Sequence, residues 1–535
     1  MADKNYDAIV IGAGHNGLTC AGYLARAGLT VKVVEARDKV GGAAVTEEFH
    51  PGFRNSVFSY VVSLLNPKVI RDLELHKHGL QIIDRTGGSF SALDVDNYLW
   101  MCRDQERAKK ELAKYSKEDA AVWDEFDARL VEIAELLRDV ALETPPNIGG
   151  GWGDLWTLLG VANKSRKLSP QQQATLIELM TMSIGDYLDK WFEGTAIKGE
   201  LGFEGVIGNF VSPYQAGSAY VLLHHVFGEV NGKTGAWGHA KGGMGAITQA
   251  MAKSAESVGV DIEVNAPVKQ VLTEKGKAVG VELADGRVIR AKLVSSNLNP
   301  KLLFTQLVDD GLLPREFNRR MRSWRSQSGT FRMNVALSEL PKFPTLAGEE
   351  NPAQFLNGTV NVCPSLDYIQ NAYDDARKVG WAQKPVISMC IPSTIDDTLA
   401  PEGCHVASMF CQHFNPDLPD GKNWDDVKED VADLIIDTMN ERAPNFKASV
   451  VGRQINSPLD IERKLGMLGG DIFHGALHLD QLYSMRPAPG YADYRSPISG
   501  LYMCGSGTHP GGGVSGLPGH NAAREILKDV KRRRV

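Results

Sequence analysis

The chain has 535 residues, of which 43% are hydrophobic and 23% are charged, and this composition excludes a disordered or low-complexity protein. The chain is too long to fold around a single hydrophobic core, so two domains are expected. The formal net charge of −7 argues against a nucleic-acid partner, because such binding needs a basic face.

The seven cysteines are scattered along the chain without a C-x-x-C pair. This spacing argues against a disulfide framework and a structural zinc site, and it favours a reducing compartment. The N-terminus is polar and lacks the apolar core of a signal peptide, and no apolar run approaches the roughly 18 residues that span a bilayer. We therefore expect a cytoplasmic protein.

A complete βαβ unit is predicted at the start of the chain. Residues 6–11 (YDAIVI) and 30–34 have the apolar, β-branched character of strands, and residues 18–27 predict the helix between them. The turn after the first strand has the G-x-G-x-x-G pattern of dinucleotide-binding proteins, and its residues are Gly12, Ala13, Gly14, His15, Asn16 and Gly17.

Each part of this unit has a physical role. Gly12 permits the tight turn, Gly14 lets the backbone approach a pyrophosphate, and Gly17 lets the helix lie close to the strand. The helix N-terminus offers N–H groups to the phosphates. Glu35 follows the second strand, where a carboxylate accepts hydrogen bonds from ribose hydroxyls. The sequence therefore predicts a dinucleotide site.

The segment after Glu35 favours FAD over NAD. Its residues that we expect to contact the cofactor are Ala36, Arg37, Gly41, Gly42 and Ala43. An acidic residue, then Arg, then a Gly pair is similar to the pattern in the FAD-binding amine oxidase and phytoene desaturase superfamily. The resemblance implies that this segment runs along the pyrophosphate and ribityl chain of FAD.

A long helix is predicted after Ser116, which with Asp119 has the spacing of an N-terminal cap. Its apolar residues repeat on one face, which we interpret as core: Val122, Phe126, Leu130, Ile133 and Leu137. The Pro-Pro pair at 145–146 ends it. The Gly-rich residues 149–152 and the apolar run 155–161 could line a tunnel or lie on a membrane surface, but packing inside the domain is favoured.

The nucleotide-binding pattern returns in the middle of the chain. Residues 237–245 (WGHAKGGMG) predict a Gly-rich loop, residues 246–258 a helix, and residues 261–273, 278–284 and 287–294 a meander of strands. Asp285-Gly286 is a hairpin signal. The superfamily resemblance implies that Val268 lies near the adenine, although packing alone would also explain this residue.

A third nucleotide-binding segment is predicted near the C-terminus. Residues 500–504 (GLYMC) predict a buried strand, and residues 520–530 predict a helix. The loop between them is so rich in Gly that its backbone must approach something flat or strained. We expect the flavin pyrimidine edge there, because a helix N-terminus stabilises negative charge. The predicted contacts are Gly505, Ser506, Gly512, Gly513 and Val514.

Several polar residues near this loop are candidates for chemistry. His509 is the predicted catalytic residue, since imidazole exchanges protons near neutral pH, although a structural contact would equally explain it. His474 and His478 have a helical metal-ligand spacing, but Gly475 weakens a helix there, and no metal is expected. Two further hypotheses stay open. Three polar side chains could bind a substrate carboxylate or phosphate or form salt bridges: Arg486, Tyr494 and Arg495. The basic residues from 528 onward could touch an anionic membrane, although a solvated helix end is favoured.

Taken together, these motifs resemble the phytoene desaturase-like flavoproteins over essentially the whole chain. The strongest matches are the phrases LLHHVFGEVNGKTGAWGHAKGGMG and SMRPAPGYADYRSPISGLYMCGSGTHPGGGVSG. The implied fold is α/β, with a glutathione-reductase-type Rossmann FAD-binding domain built from residues 1–75, 235–305 and 485–535. An α+β substrate domain, residues 76–234 and 306–484, is inserted between these segments.

The resemblance implies an FAD-dependent oxidoreductase, and we favour dehydrogenation of C–C bonds in an apolar polyene, terpenoid or acyl-like substrate by hydride transfer to flavin N5. The sequence shows no second strand–G-x-G-x-x-G–helix unit of the kind that forms a dedicated NAD(P)H domain, so dioxygen or a quinone is the expected electron acceptor. The alternatives are a flavin amine oxidase, a flavin-dependent polyene isomerase, and an FAD-stabilised interaction protein with little turnover. A peripheral membrane contact and a homo-oligomer are also left open.

Overall fold

The computed structural model describes residues 5–166, 168–226 and 228–534. Residues 1–4 and Val535, which belong to the predicted FAD-binding segments, lie outside the described residues. So do residues 167 and 227 of the predicted substrate domain.

The strands are numbered in chain order. They are β1 (Tyr6–Ile11), β2 (Val31–Val34), β3 (Thr46–His50), β4 (Phe53–Ser56), β5 (Ile82–Asp84), β6 (Ser89–Ala92), β7 (Tyr98–Met101), β8 (Glu229–Val230), β9 (Lys233–Thr234), β10 (Gly238–Ala240), β11 (Asp261–Glu263), β12 (Val268–Glu274), β13 (Lys277–Leu283), β14 (Val288–Ser296), β15 (Phe331–Leu337), β16 (Thr359–Val362), β17 (Trp381–Cys390), β18 (His405–Phe414), β19 (Val450–Asn456) and β20 (Leu501–Met503).

The helices are numbered in the same way. They are α1 (His15–Arg26), α2 (Pro67–Asp72), α3 (Gln105–Leu112), α4 (Lys117–Ala141), α5 (Trp152–Ser165), α6 (Pro170–Thr181), α7 (Ile184–Asp189), α8 (Thr195–Val206), α9 (Ala219–Val226), α10 (Gly245–Ser257), α11 (Pro300–Leu302), α12 (Arg315–Arg322), α13 (Ala353–Leu356), α14 (Leu366–Val379), α15 (Trp424–Asn440), α16 (Phe446–Ser449), α17 (Pro458–Leu465) and α18 (Leu517–Lys531).

The first sheet has a parallel part of Rossmann type. Its parallel strands lie in the order β11-β2-β1-β14, with β20 beside β14. Strand β1 is buried along most of its length, as expected for a parallel strand with both faces covered. These five strands come from residues 6–34, 261–296 and 501–503, so chain segments that are remote in sequence build one sheet. The first half of β14 also pairs with β13, which continues the sheet as the antiparallel meander β12-β13-β14.

The meander differs from the prediction at its start. Residues 261–273 were expected to form one strand, but they form β11 in the parallel sheet and β12 in the meander. Asn265 adopts a left-handed conformation at φ 54°, and the following Pro267 has no N–H to donate to a ladder, so the strand breaks there. The predicted turn at Asp285-Gly286 is present, with Gly286 at φ 86°.

The second sheet is mixed and mostly antiparallel, in the order β19-β15-β18-β17-β16-β6-β7. Its only parallel pair among the described strands is β16 with β6. Side chains alternate between its faces. Phe331 and Met333 of β15 pack into the hydrophobic cluster under α15, while Asn334 points to the other side and donates to the Ser56 carbonyl at the end of β4. This second face therefore meets the small two-stranded sheet formed by β3 and β4.

Helix α4 confirms the predicted cap and core stripe. The Ser116 hydroxyl accepts a hydrogen bond from the N–H of Asp119 at 3.0 Å. Phe126, Leu130 and Ile133 are buried against α7 to α9, while Val122 and Leu137 are half-buried at the edge of this cluster.

The apolar run at 155–161 lies elsewhere than expected. It belongs to α5, where Trp152 is 79% exposed and Trp156 is 70% exposed, so packing inside the domain is wrong for the described side chains of this helix. In the described part of the chain, every helix is too short or too polar to span a bilayer.

Candidate functional site

A cavity of about 540 Å³ is lined by segments of both sheets. Its walls include the start of α1, the end of β2, the loop after β14, strands β15 and β18, and the loop before α18. Twelve positions predicted to contact the cofactor line it: Gly12, Gly14, His15, Glu35, Ala36, Arg37, Gly42, Ala43, Val268, Ser506, Gly513 and Val514. The other six predicted contacts do not line it: Ala13, Asn16, Gly17, Gly41, Gly505 and Gly512. All eighteen assignments stay predictions.

The two N-terminal Gly motifs lie side by side. The N–H of Gly41 donates to the Ala13 carbonyl at 2.9 Å, and Gly41 forms a parallel bridge with Gly14. A Cβ on Gly42 would lie 3.3 Å from the Gly14 Cα, and a Cβ on Gly17 would lie 2.1 Å from the Gly12 carbonyl oxygen. Glycine is required here because the backbone segments approach each other too closely for side chains.

Glu35 closes this turn from the end of β2. Its Oε2 accepts a hydrogen bond from the Ala13 N–H at 2.7 Å, and its Oε1 accepts one from the Arg37 N–H at 2.9 Å. The carboxylate is buried and lines the cavity. A carboxylate oxygen has two lone pairs, so each oxygen retains the capacity to accept a further hydrogen bond from a ligand hydroxyl.

The start of α1 is tied to the C-terminal loop. Burial lowers the pKa of His15 to about 4, so the ring is neutral at pH 7, and its Nε2 lies 3.0 Å from the Gly513 carbonyl oxygen, to which it donates. Asn16 Nδ2 donates to the Ser506 hydroxyl at 3.2 Å. A Cβ on Gly513 would lie 2.5 Å from Leu64 Cδ1. The backbone of this loop therefore packs closely against Leu64, while its predicted approach to a flat cofactor stays a prediction.

His509 lies away from the cavity, although it belongs to the same loop. Its Nε2 is 3.0 Å from the Val140 carbonyl oxygen at the end of α4, and its own carbonyl accepts from the Tyr494 hydroxyl at 3.0 Å. Burial lowers the pKa of His509 to about 4. These contacts order the loop and place the imidazole behind the cavity wall, so the geometry gives no support to the predicted catalytic role.

The three polar residues before β20 are engaged within the protein. Arg486 donates to the carbonyls of Ser506 and Phe473 at 2.7 and 2.8 Å, and Arg495 forms ion pairs with Asp529 and neighbouring carboxylates. The Tyr494 hydroxyl is buried at the back of the loop. Neither hypothesis, substrate binding or surface salt bridges, therefore describes all three residues. Arg486 neither lines the cavity nor forms a surface ion pair.

The paired histidines do not share a helix. His474 has φ 56° in a loop and lines the cavity, while His478 precedes a short turn. Burial lowers the pKa of His474 to about 4, which keeps its imidazole neutral at pH 7. The residues that the structure describes contain no group of three or more His, Cys, Asp or Glu side chains that could hold a metal ion.

The second sheet contributes cavity residues that the sequence reasoning missed. Arg332 of β15, Phe410 of β18 and Tyr60 line one wall together. The Arg332 guanidinium carbon lies 4.4 Å from the centre of the Tyr60 ring, and the rings of Tyr60 and Phe410 are 6.1 Å apart. The sequence feature that could have indicated this wall is the charged residue within the apolar segment FRMNVAL. All seven residues of this strand are buried.

Comparisons with known proteins agree with this geometry. The family model for "Flavin containing amine oxidoreductase" matches residues 17–331. The pyridine nucleotide-disulfide oxidoreductase domain-containing protein 2 of Rattus norvegicus is 41% identical, with 98% of this chain and 94% of the relative covered. This chain belongs to the flavin containing amine oxidoreductase family.

Two other relatives and a solved structure are less similar in sequence. A limonene dehydrogenase polypeptide of Castellaniella defragrans is 27% identical, with 98% of this chain and 95% of the relative covered. The lycopene-forming phytoene desaturase of a Paracoccus species is 25% identical, with 98% and 97% covered. A solved structure of putrescine oxidase bound to putrescine has a TM-score of 0.60 at 17% identity, with 99% of this chain and 100% of that chain covered. The predicted resemblance to phytoene desaturase-like proteins is confirmed, and the protein is an FAD oxidoreductase.

The cavity residues of this flavin containing amine oxidoreductase fit FAD. The N-terminus of α1 leaves its first N–H groups without helical partners beside Gly14 and His15, both on the cavity wall. A carboxylate lies at the end of β2. Glycines from the N-terminal and C-terminal segments line the cavity at places where a Cβ would collide with a neighbouring atom. This set supplies anion-binding amides, a ribose acceptor and close backbone approach.

A pair of carboxylates on α8 gives a pH prediction for this oxidoreductase. Glu200 and Glu204 are one turn apart on α8, and burial, together with the Glu200 charge, raises the pKa of Glu204 to about 8 from 4.5. A raised carboxyl pKa means that the folded state binds the proton more tightly, so stability is present at low pH and is lost as pH rises from 4.5 to 8.

We expect Glu204→Gln to gain about 3 kcal/mol in unfolding free energy over the wild type between pH 5 and pH 8. Denaturant unfolding at the two pH values measures this difference. Glu256→Gln, an exposed position on α10, serves as the control and should gain nothing with pH. A stability difference between Glu204→Gln and wild type that is the same at both pH values would contradict the prediction.

Proposed function

We propose that this FAD oxidoreductase dehydrogenates a C–C bond of an apolar polyene, terpenoid or acyl-like substrate. The observation that carries the proposal is the continuity of one cavity from the predicted flavin-binding loops to apolar side chains of the substrate side. Those side chains are Phe58, Leu64, Ile207, Phe410, Ile472 and Phe473. Such an apolar wall suits a substrate that is itself mostly hydrocarbon. The names of two relatives, a limonene dehydrogenase and a phytoene desaturase, support the same reaction class.

The chain's own residues would hold the cofactor as follows. The N–H groups at the start of α1 would bind the pyrophosphate, Glu35 the adenosine ribose, and Val268 the adenine region. The loop with Ser506, Gly513 and Val514 would face the flavin ring. When bound, FAD supplies the two-electron acceptor of the reaction.

The remaining requirements are a proton acceptor and the exclusion of water. His474 lies on the cavity wall and its Nδ1 has no hydrogen-bond partner among the described residues. Its neutral imidazole can take a proton from the substrate. The buried rings of Phe410 and Phe473 exclude water from the same region. Electrons would leave to dioxygen or a quinone, and the protein would work in the cytoplasm.

Amine oxidation is the second candidate, because the Tyr60–Phe410 pair on the cavity wall offers the two aromatic rings that such an enzyme needs. The Arg332 guanidinium lies 4.4 Å from the Tyr60 ring, however, and its positive charge repels a protonated amine at this position. We therefore favour dehydrogenation of a carbon chain that carries no positive charge.

The test begins with the purified protein. Its visible spectrum and the chromophore released on denaturation should identify FAD. Anaerobic mixing with polyenes, terpenoids, acyl compounds and amines should then bleach the flavin with a member of the first three classes. Bleaching by amines alone would favour the second candidate. A flavin that no compound bleaches would contradict catalysis and favour an FAD-stabilised interaction protein. Isomerisation of a polyene by the reduced protein, with no net oxidation or reduction of the flavin, would favour an isomerase.

A further inference from the structure

We propose that the substrate carries a carboxylate at one end and that Arg332 binds this group inside the cavity. The inference rests on the proposed function, because it takes the cavity as the substrate site. It adds a polar end to a substrate that is otherwise apolar.

The position of Arg332 follows from the alternation of β15. Phe331 and Met333 point into the hydrophobic cluster under α15, so Arg332 between them points to the opposite face, where it lines the cavity. The side chain is only 1% exposed. A guanidinium keeps its charge even when it is buried, because its pKa is so high.

The hydrogen-bonding capacity of this guanidinium is mostly unused. Nη2 donates to the Ser408 hydroxyl at 2.7 Å on the neighbouring strand β18. Nε and Nη1 have no hydrogen-bond partner among the described residues, and no described carboxylate forms an ion pair with Arg332. Arg486, which is also fully buried, differs because its N–H groups reach several backbone carbonyls.

A buried charge without a counter-charge is costly, and proteins keep such groups where a ligand supplies the missing partner. The aromatic neighbours compensate only in part. The ring centre of Tyr60 lies 4.4 Å from the guanidinium carbon and that of Phe410 lies 5.9 Å away. These contacts attract the cation through the ring faces but accept no conventional hydrogen bond.

The chemistry of the site selects a carboxylate. One guanidinium offers a single positive charge with planar N–H donors, which match a planar anion of single charge. The neighbouring cavity wall is apolar, with Ile207, Phe410 and Phe473. The ligand class is therefore a carboxylic acid with a long hydrocarbon body.

Calorimetric titration of the holoprotein with decanoate and with 1-decanol tests this assignment. The two probes share a hydrocarbon chain and differ only at the end. We expect wild type to bind decanoate at least about tenfold more tightly than 1-decanol. In Arg332→Gln this preference should fall to less than about twofold, while the affinity for 1-decanol is retained.

Arg463→Gln is the matched control. Arg463 also lines the cavity, but its charge is already paired with Asp425 at 2.6 Å, so this variant should keep the preference for decanoate. Flavin content and thermal unfolding confirm that each variant is folded. Absence of decanoate binding, equal binding of the two probes by wild type, or a preference that persists in Arg332→Gln would overturn the proposal. Tighter binding of decyl phosphate than of decanoate would overturn the choice of carboxylate.

These outcomes are separate from those of the proposed function. Calorimetry measures binding without turnover, so an Arg332-dependent preference would stand even if no compound bleached the flavin. Conversely, if a substrate bleaches the flavin while decanoate and 1-decanol bind equally, the proposed dehydrogenase activity would stand and the proposed carboxylate would be ruled out.

Discussion

Replacement of Arg486 with methionine is expected to lower the unfolding free energy by about 3 to 5 kcal/mol, since several buried carbonyls lose a charged donor. The side chain is fully buried and donates to the carbonyls of Phe473, Gln481 and Ser506 at 2.7 to 3.0 Å. Methionine fills a similar volume but donates no hydrogen bond, so these carbonyls lose this partner inside the protein. Thermal unfolding of the holoprotein measures the loss.

The same substitution should also weaken flavin binding, because Arg486 joins the loop of Phe473 to the loop of Ser506, and both residues line the cavity. Arg320→Met is the control, since half-buried Arg320 forms its ion pair with the exposed Glu316 carboxylate on the same helix, and solvent screens such a pair. If Arg486→Met unfolded at the same temperature as Arg320→Met, the structural role given to this guanidinium would be wrong.

Gly17→Ala is expected to weaken FAD binding by at least about a hundredfold, which corresponds to about 2.7 kcal/mol. The added Cβ would lie 2.1 Å from the Gly12 carbonyl oxygen and 3.3 Å from the Asn297 Cβ. The start of α1 must therefore move away from the turn, and the N–H groups that face the cavity move with it. Titration of apoprotein with FAD, followed by flavin fluorescence, gives the affinity.

Gly22→Ala on the same helix is the matched control. Its Cβ would lie 3.2 Å from the Cδ2 of Leu73, the end of a flexible side chain, and alanine favours the helix by about 0.5 to 1 kcal/mol over glycine. This variant should bind FAD like wild type. Equal FAD affinity in the two variants would show that the close approach at Gly17 is not needed for cofactor binding.

Local signals predicted the nucleotide-binding elements well. The apolar run at β1, the Gly turn and the acidic residue after β2 lie next to each other in sequence, and the structure forms the parallel pair that they predict. The buried strand before Cys504 and the Gly-rich loop that follows are similar cases, because each depends on residues within one segment. Helix starts were less accurate: α1 begins at His15 and α18 at Leu517, each three residues before the predicted start.

Features that depend on distant pairing could not be predicted. Arg332 faces the cavity only because β15 pairs with β18 and because Tyr60, from a loop before α2, packs over it. The sequence shows the strand and its charge but not which side chains surround that charge. Arg486 is a similar case. From the sequence it could bind a ligand, but in the folded chain its guanidinium is hydrogen-bonded to the backbone carbonyls of Phe473 and Ser506.

The apolar residues of α5 show a second kind of limit. Composition alone favours burial of Trp152 and Trp156, yet both are more than two-thirds exposed at 79% and 70%. Burial is decided by whether another element covers a surface, and that information is absent from a single segment.

The hydrogen bond from His15 to the Gly513 carbonyl spans 498 positions of the chain, and this separation sets the order of assembly during translation. At about 5 to 20 residues per second, the ribosome needs about 25 to 100 seconds between making one wall of the pocket and making the other. A nascent chain therefore carries an unfinished pocket for most of its synthesis. We expect a chain that stops before β20 to bind FAD poorly, because it lacks the loop that lines the cavity with Ser506, Gly513 and Val514.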